Sequence, residues 1–190
     1  MLIVFDGIDR AGKTSHLRMI TDWLTKQNKQ FVLKREPGGT DVSEKIRNVF
    51  IKNKMNPLSQ LMLISAARLE LTLELQKIDP KKLILLDRYI DSTYAYQGQD
   101  LSDDMIDQFV KMSSKIEPDF VFLFLNTYKS NILNQMDIVA KKNRDGIIER
   151  FKERAKLNPA KYFIVQHAHI KKQQEIICKK IEEILANANI

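Results

Sequence analysis

The chain has 190 residues, 44% hydrophobic and 29% charged, an ordinary composition for one soluble globular domain with a substantial core. Its net charge of +7, from 31 Lys+Arg against 24 Asp+Glu, would suit nucleic acid, phosphate-rich small substrates or solubility alone; the basic residues are scattered rather than gathered in one stripe, so nucleic acid is not expected as a partner. The single cysteine, Cys178, allows no internal disulfide, the longest apolar run (120–125) is far too short for a membrane span, and the apolar start (1–5) is too short for a signal peptide, so a cytoplasmic protein without membrane contact is expected.

Leu2 to Phe5 reads as a short buried strand. It runs into Gly7-Ile8-Asp9-Arg10-Ala11-Gly12-Lys13-Thr14, which matches the phosphate-binding pattern G-x-x-x-x-G-K-S/T. The glycines let the backbone curl so that successive N–H groups face phosphate oxygens, and the helix expected over 13–28, with Leu17, Ile20 and Leu24 at helical spacing, adds the positive end of its dipole. Lys13 would reach the β- and γ-phosphates, and the Thr14 hydroxyl would ligate Mg²⁺.

A second strand, 31–33, leads into Arg35-Glu36-Pro37-Gly38-Gly39-Thr40, a turn at a strand's carboxyl end, where ligands sit in parallel sheets. Asp41 or Ser43 is expected to cap the next helix, with Ile46, Val49 and Phe50 as its apolar side. A longer helix follows over 58–76, its buried stripe read as Leu58, Leu61, Met62, Ser65, Leu69 and Leu73; Arg68 lies beside that stripe, either snorkelling or reaching a ligand. The uninterrupted run 83–86 is expected as a central parallel strand. It ends in Asp87-Arg88-Tyr89, a carboxylate suited to Mg²⁺ or its water and an arginine suited to a bidentate phosphate contact. A short polar helix then spans 92–98.

Beyond it come a helix over 102–116, a strand over 120–125, a helix over 128–136, a polar basic stretch from Asp137 to Asp145 that is a candidate lid, a helix over 151–157, a strand over 162–165 and a C-terminal helix with Ile170, Ile177, Ile181 and Ile184 on one face. Five strands alternating with helices predict an α/β fold with a parallel sheet. His16, His167 and His169 look incidental, and no histidine, cysteine or carboxylate cluster has metal-ligand spacing.

The phosphate loop with Asp9-Arg10, then 35–40, Glu44-Lys45-Ile46-Arg47, Ala66-Ala67-Arg68 and Asp87-Arg88-Tyr89 with 92–98, in this order, resembles the thymidylate kinases, closely over residues 1 to about 100 and by element pattern beyond. The resemblance implies a P-loop kinase domain over 1–190, with a five-stranded parallel sheet, helices on both faces and a mobile lid at about 137–150. It implies transfer of the ATP γ-phosphate to dTMP with Mg²⁺, by a homodimer acting on small molecules.

By the same resemblance, residues 7–14 hold ATP, and Arg10, Lys13 and Asp87 are the catalytic set, with Thr14 and Asp87 at the metal. Asp9 meets the dTMP 3′-hydroxyl, Arg88 its phosphate and Arg68 the thymine ring. Thr93, Gln97 and Ser92 line the nucleoside pocket with Arg35, Glu36 and Arg47, and Tyr96 crowds the ribose 2′ position. Arg10 marks the type with its catalytic arginine in the phosphate loop; Arg144 and Arg150 are the lid candidates.

Some positions depart from the family pattern. Ile64 stands where an aromatic residue usually stacks on the base, Asp6 where glutamate is common, Asn126 where a Leu-Asp pair ends, and Gln166-His167 where Asp-Ala is usual. Ile64 keeps open a kinase of broader monophosphate or deoxynucleoside specificity, including dUMP. A phosphate-loop protein that binds nucleotide without turnover is a further alternative, opposed by the intact Lys13, Thr14, Arg10 and Asp87.

Overall fold

The computed structural model describes residues 1–126 and 135–188, the side chains of 135–143 excepted. Its five strands are the apolar runs of the sequence: β1 (Leu2–Gly7), β2 (Phe31–Arg35), β3 (Leu83–Asp87), β4 (Phe120–Phe124) and β5 (Tyr162–Ile164). They form one parallel sheet in the order β2-β3-β1-β4-β5. β1 and β4 are buried along their whole length, as central strands covered on both faces must be. Phe5 stacks on Phe122 with ring centroids 5.1 Å apart, and Phe163 meets Phe122 edge-on.

The helices are α1 (Lys13–Lys26), α2 (Asp41–Lys52), α3 (Pro57–Leu75), α4 (Ile90–Tyr96), α5 (Asp103–Ser113), α6 (Gln135–Leu157) and α7 (Ile170–Asn187). Only the crossover from β1 to β2 runs one way along the sheet; the other three run the opposite way. Right-handed connections therefore put α1 on one face, where it meets α7, and α2 to α6 on the other. The chain departs to opposite faces after β1 and after β3, which are neighbours, so a crevice opens beyond their carboxyl ends. Register brings Phe5, Asp87 and Arg35 level there.

Four local expectations are corrected. Thr40, not Asp41 or Ser43, caps α2, accepting from the Ser43 N–H at 3.1 Å; Ser43 instead points inward and donates to the Ala67 carbonyl. Of α2's expected apolar side, Val49 is 49% exposed. The buried side of α3 runs through Leu61, Ile64, Ser65, Arg68, Leu71, Thr72 and Leu75, while Met62 and Leu73 face outward. α3 packs between α2 and α5 and is apolar around most of its circumference, so periodicity alone does not choose its face. The polar stretch from Asp137 to Asp145, expected to separate two helices, belongs to α6, one helix through Leu157. Alanine, lysine and arginine make a polar segment that is a good helix former as well. The expected helix at 128–136 lies mostly outside the described residues.

Candidate functional site

The site begins where β1 runs out. Gly7 has φ 129°, and a Cβ there would lie 2.1 Å from the Phe124 carbonyl oxygen, so only glycine lets β1 stay against β4 and still turn. The Ile8 N–H donates to that same carbonyl at 3.0 Å. Gly12, with φ 87°, caps α1 without a side-chain bond, which leaves the first amides of α1 facing the cleft. Lys13 is buried and donates to the Gly7 and Ile8 carbonyls at 3.1 and 2.6 Å. Burial, and next the charge of Arg88, lower its pKa to about 8. Arg10 projects from the loop with φ 60°.

The opposite wall is made of side chains. Arg88, with φ 67°, follows β3 and donates to the Gly7 carbonyl (2.9 Å), the Ser92 hydroxyl (2.8 Å) and Asp9 (2.6 Å). Tyr96 lies beneath the Arg88 guanidinium at 5.4 Å and donates to the other Asp9 oxygen at 3.1 Å. Arg35 pairs with Glu44, which also accepts from the Gly39 N–H. Arg47 donates to the Pro37 carbonyl at 2.8 Å. Burial pushes the Asp87 carboxyl up, against the pull of Lys13 and Arg88. Its Oδ1 is buried and has no hydrogen-bond partner among the described residues. With the Thr14 hydroxyl in the same cleft, that orphaned oxygen fits a hard divalent cation or a water bound to one.

Asp9 to Ser15, Arg35, Glu36, Arg47, Asp87 and Arg88 surround one cleft of about 480 Å³. Gly7 and Ile8 do not line it. Ile64, Arg68, Ser92, Thr93, Tyr96 and Gln97 do not line it directly. Arg68, fully buried, instead holds Glu36 through Nε (3.0 Å) and Nη2 (2.5 Å), and Nη2 also reaches the Thr93 hydroxyl at 2.5 Å. Glu36 is thus held between burial, which raises its pKa, and Arg68, which lowers it. The Arg68 Nη1 is buried and unpartnered among the described residues, a donor available for an acceptor in the adjoining space. Ser92 accepts from Arg88, Gln97 donates to Gln60 at 3.2 Å, and Ile64 is buried on α3 at 6% exposure. A second cleft of about 550 Å³ opens beside Gly12 and Ser15, walled by 167–170.

Other residues have partners that the sequence did not indicate. His16 is fully buried, its ring nitrogens 2.8 and 3.1 Å from the side chains of Gln174 and Gln173, and Gln173 donates to the Gln166 carbonyl beside the second cleft. His169 caps α7. Arg154 and Tyr162 both donate to buried Asp91 on α4, at 3.1 and 2.9 Å, and Arg150 pairs with Asp103 and donates to the Tyr94 carbonyl. Arg150 is thus engaged with α4 and α5. Asp6, a charge closing an apolar strand, was the one such signal open to sequence reading.

A sequence model of the family described as Thymidylate kinase matches residues 5–181. Among curated relatives, a thymidylate kinase of Chlorobium limicola is 37% identical over 140 residues, covering 70% of this chain and 64% of that protein. One of Prosthecochloris aestuarii is 39% identical over 129 residues, covering 64% of this chain and 58% of that protein. The chain thus spans about three fifths of the length of the curated relatives it matches. The crystal structure of thymidylate kinase from Ehrlichia chaffeensis superposes with a TM-score of 0.77 at 30% identity, covering 95% of this chain and 98% of the other.

Proposed function

The chain belongs to the thymidylate kinase family, and from that premise we propose that it transfers the γ-phosphate of ATP to dTMP, giving dTDP and ADP. One observation carries the reading: a phosphate-binding loop and a set of arginines from other elements face each other across a single cleft. A donor triphosphate bound in the loop from Gly7 to Thr14 would direct its last phosphorus toward Arg88, Arg35 and Arg47, which can hold a second phosphorylated molecule. The cleft walled by 167–170 is where the donor's base would lie.

The chemistry asks mainly for positioning and charge neutralisation, because the acceptor is a phosphate oxygen already ionised at neutral pH. Lys13 and Arg10 neutralise the transferring group from the loop side. Arg88 exchanges Asp9 for the acceptor phosphate, which frees Asp9 to accept from the acceptor's 3′-hydroxyl. Tyr96 closes the space a 2′-hydroxyl would need. Arg68, with its free Nη1, and Thr93 and Gln97 receive the base, with Ile64 packing against it. Thr14 and Asp87 would hold Mg²⁺, which supplies charge neutralisation at the donor phosphates. Residues 137–150 serve as the lid, a role their polar composition supports.

The test is ADP release coupled to a panel of acceptors: dTMP, dUMP, dCMP and thymidine. dTMP is expected to turn over fastest, and a flat profile would replace this reading with a kinase of broad acceptor range. A homodimer in the cytoplasm is part of the same proposal. No helix among the described residues is long and apolar enough to cross a membrane, and light scattering on the purified protein should return the mass of two chains.

A further inference from the structure

Asp6 touches neither cleft. It is fully buried at the end of β1 and is surrounded by donors. Its Oδ1 accepts from the Gly7 N–H, the first amide of the phosphate loop, at 2.8 Å, and from the Ser92 hydroxyl at 2.6 Å. Its Oδ2 accepts from the Tyr89 and Ser92 N–H groups, both at 3.1 Å. The Arg88 guanidinium stands 3.7 Å away, and the same guanidinium donates to the Gly7 carbonyl and to the Ser92 hydroxyl. One carboxylate therefore ties the start of the loop to the turn and helix that present Arg88, Ser92, Thr93 and Tyr96.

We propose that Asp6 is a positioning residue that sets the distance between the donor loop and the acceptor wall, and so aligns the two phosphates for transfer. The inference rests on the kinase reading given above. Its physical basis is the span of the carboxylate: Oδ1 accepts from both the loop and Ser92, and Oδ2 accepts from the Tyr89 and Ser92 amides. Each half of the site has contacts that shape it locally: the loop has the Phe124 carbonyl and α1, and the acceptor wall has Glu36, Arg68 and Thr93. Each half can bind its own ligand without Asp6. The Asp6 bonds, with the Arg88 bonds that close the same ring, fix one half against the other. An in-line displacement is sensitive to that separation, since a misplacement of about 1 Å can cost about 100-fold in rate. Asparagine has nearly the same shape, but its NH₂ would face an N–H that the carboxylate now accepts, so one side of the joint must open.

The experiment compares wild type with Asp6→Asn in the full chain. ATP and dTMP binding are measured separately by calorimetry, and kcat by ADP release. The expected result is a kcat lower by about 100-fold with each dissociation constant changed by less than about threefold. Asp6→Glu, which restores the carboxylate, should recover at least about tenfold of the lost rate. A kcat within about threefold of wild type, or a loss carried equally by the two dissociation constants, overturns the proposal. Amide hydrogen exchange on wild type supplies a reading that needs no variant. The Gly7, Tyr89 and Ser92 amides should be protected to a similar degree, because one carboxylate holds all three; Gly7 exchanging freely while the other two stay protected also overturns it. A wild type that turns over no monophosphate at all removes the kinase reading, and this inference falls with it, whereas an active wild type with an equally active Asp6→Asn variant removes the inference alone.

Discussion

The two walls of the cleft are held in place by different means. The loop from Gly7 to Thr14 is a run of consecutive residues whose shape comes from the backbone: positive φ at Gly7, Arg10 and Gly12, a bond from Ile8 to the neighbouring strand and the start of α1. The facing wall draws Glu36, Arg68, Arg88 and Thr93 from four separate places in the chain and holds them by side-chain ion pairs and hydrogen bonds. A wall built of main chain should lose function when a protruding side chain is removed, without losing its shape. A wall built of paired charges should lose its shape when one partner is removed.

Arg10→Gly tests the first half of that contrast. Arginine at φ 60° is in a conformation that favours glycine, so the loop should keep its form and thermal stability should stay within about 1 kcal/mol of wild type. Turnover should fall much further, with kcat down about 10³-fold and the KM for dTMP nearly unchanged. A change confined to KM would make Arg10 a binding group, and the two walls would no longer differ in this respect.

Arg68→Met tests the second half. It leaves the Glu36 carboxylate buried with its charge uncompensated, a loss of about 3–5 kcal/mol in a denaturant unfolding measurement. The double variant Glu36→Gln with Arg68→Met should recover much of that stability while remaining inactive on dTMP, because removing both charges removes the penalty but not the need for the site. If the single variant is as stable as wild type, the acceptor wall is not held by this pair.

The same contrast decides what the sequence discloses. The loop is contiguous, so its pattern and setting are readable from eight residues, and the strands are readable because each is an apolar run ending in a turn. Of the acceptor wall, Arg88 is readable from its place at a strand end, whereas Arg68 is readable only through resemblance to a family, since an arginine beside an apolar stripe is equally consistent with snorkelling. The joint at Asp6 shows in the sequence only as a charge closing an apolar strand, and the anchor of Arg154 and Tyr162 on Asp91 does not show at all. Apart from the Gly7 amide, their partners lie 63 to 86 positions away, and no local pattern marks a buried carboxylate that collects donors from distant turns. α6 was misread in part because lysine and arginine serve a helix and a solvated loop equally well.

A smaller effect is expected at Tyr96, where the two walls meet. Its ring packs beneath Arg88 and edge-on to Phe151, and its hydroxyl bonds Asp9. Tyr96→Ala should open space beside the sugar and reduce the preference for deoxyribose by about tenfold, measured as the ratio of kcat/KM for dTMP and its ribose counterpart. An unchanged ratio would move the discrimination to another group.

The smallest effect concerns protons and sharpens the loop side further. Lys13 sits on carbonyls of the loop, and burial with Arg88 nearby brings its pKa down to about 8, from 10.5. Between those two pH values the unfolded chain holds the proton more tightly than the folded one, so the free protein should gain stability as pH rises through this window; below about pH 8 the cost of the buried charge is present in full. A bound triphosphate reverses the balance, because its negative charge favours the protonated lysine. ATP binding near pH 8 should therefore take up a fraction of a proton, and ATP affinity should weaken as pH rises above 8. Calorimetry in two buffers of different ionisation enthalpy reads that uptake directly, and Lys13→Arg, whose guanidinium stays charged, should abolish it. Equal binding heats in both buffers for wild type would mean that Lys13 is already fully protonated in the empty loop, and that Arg88 and burial act on it less than their proximity requires.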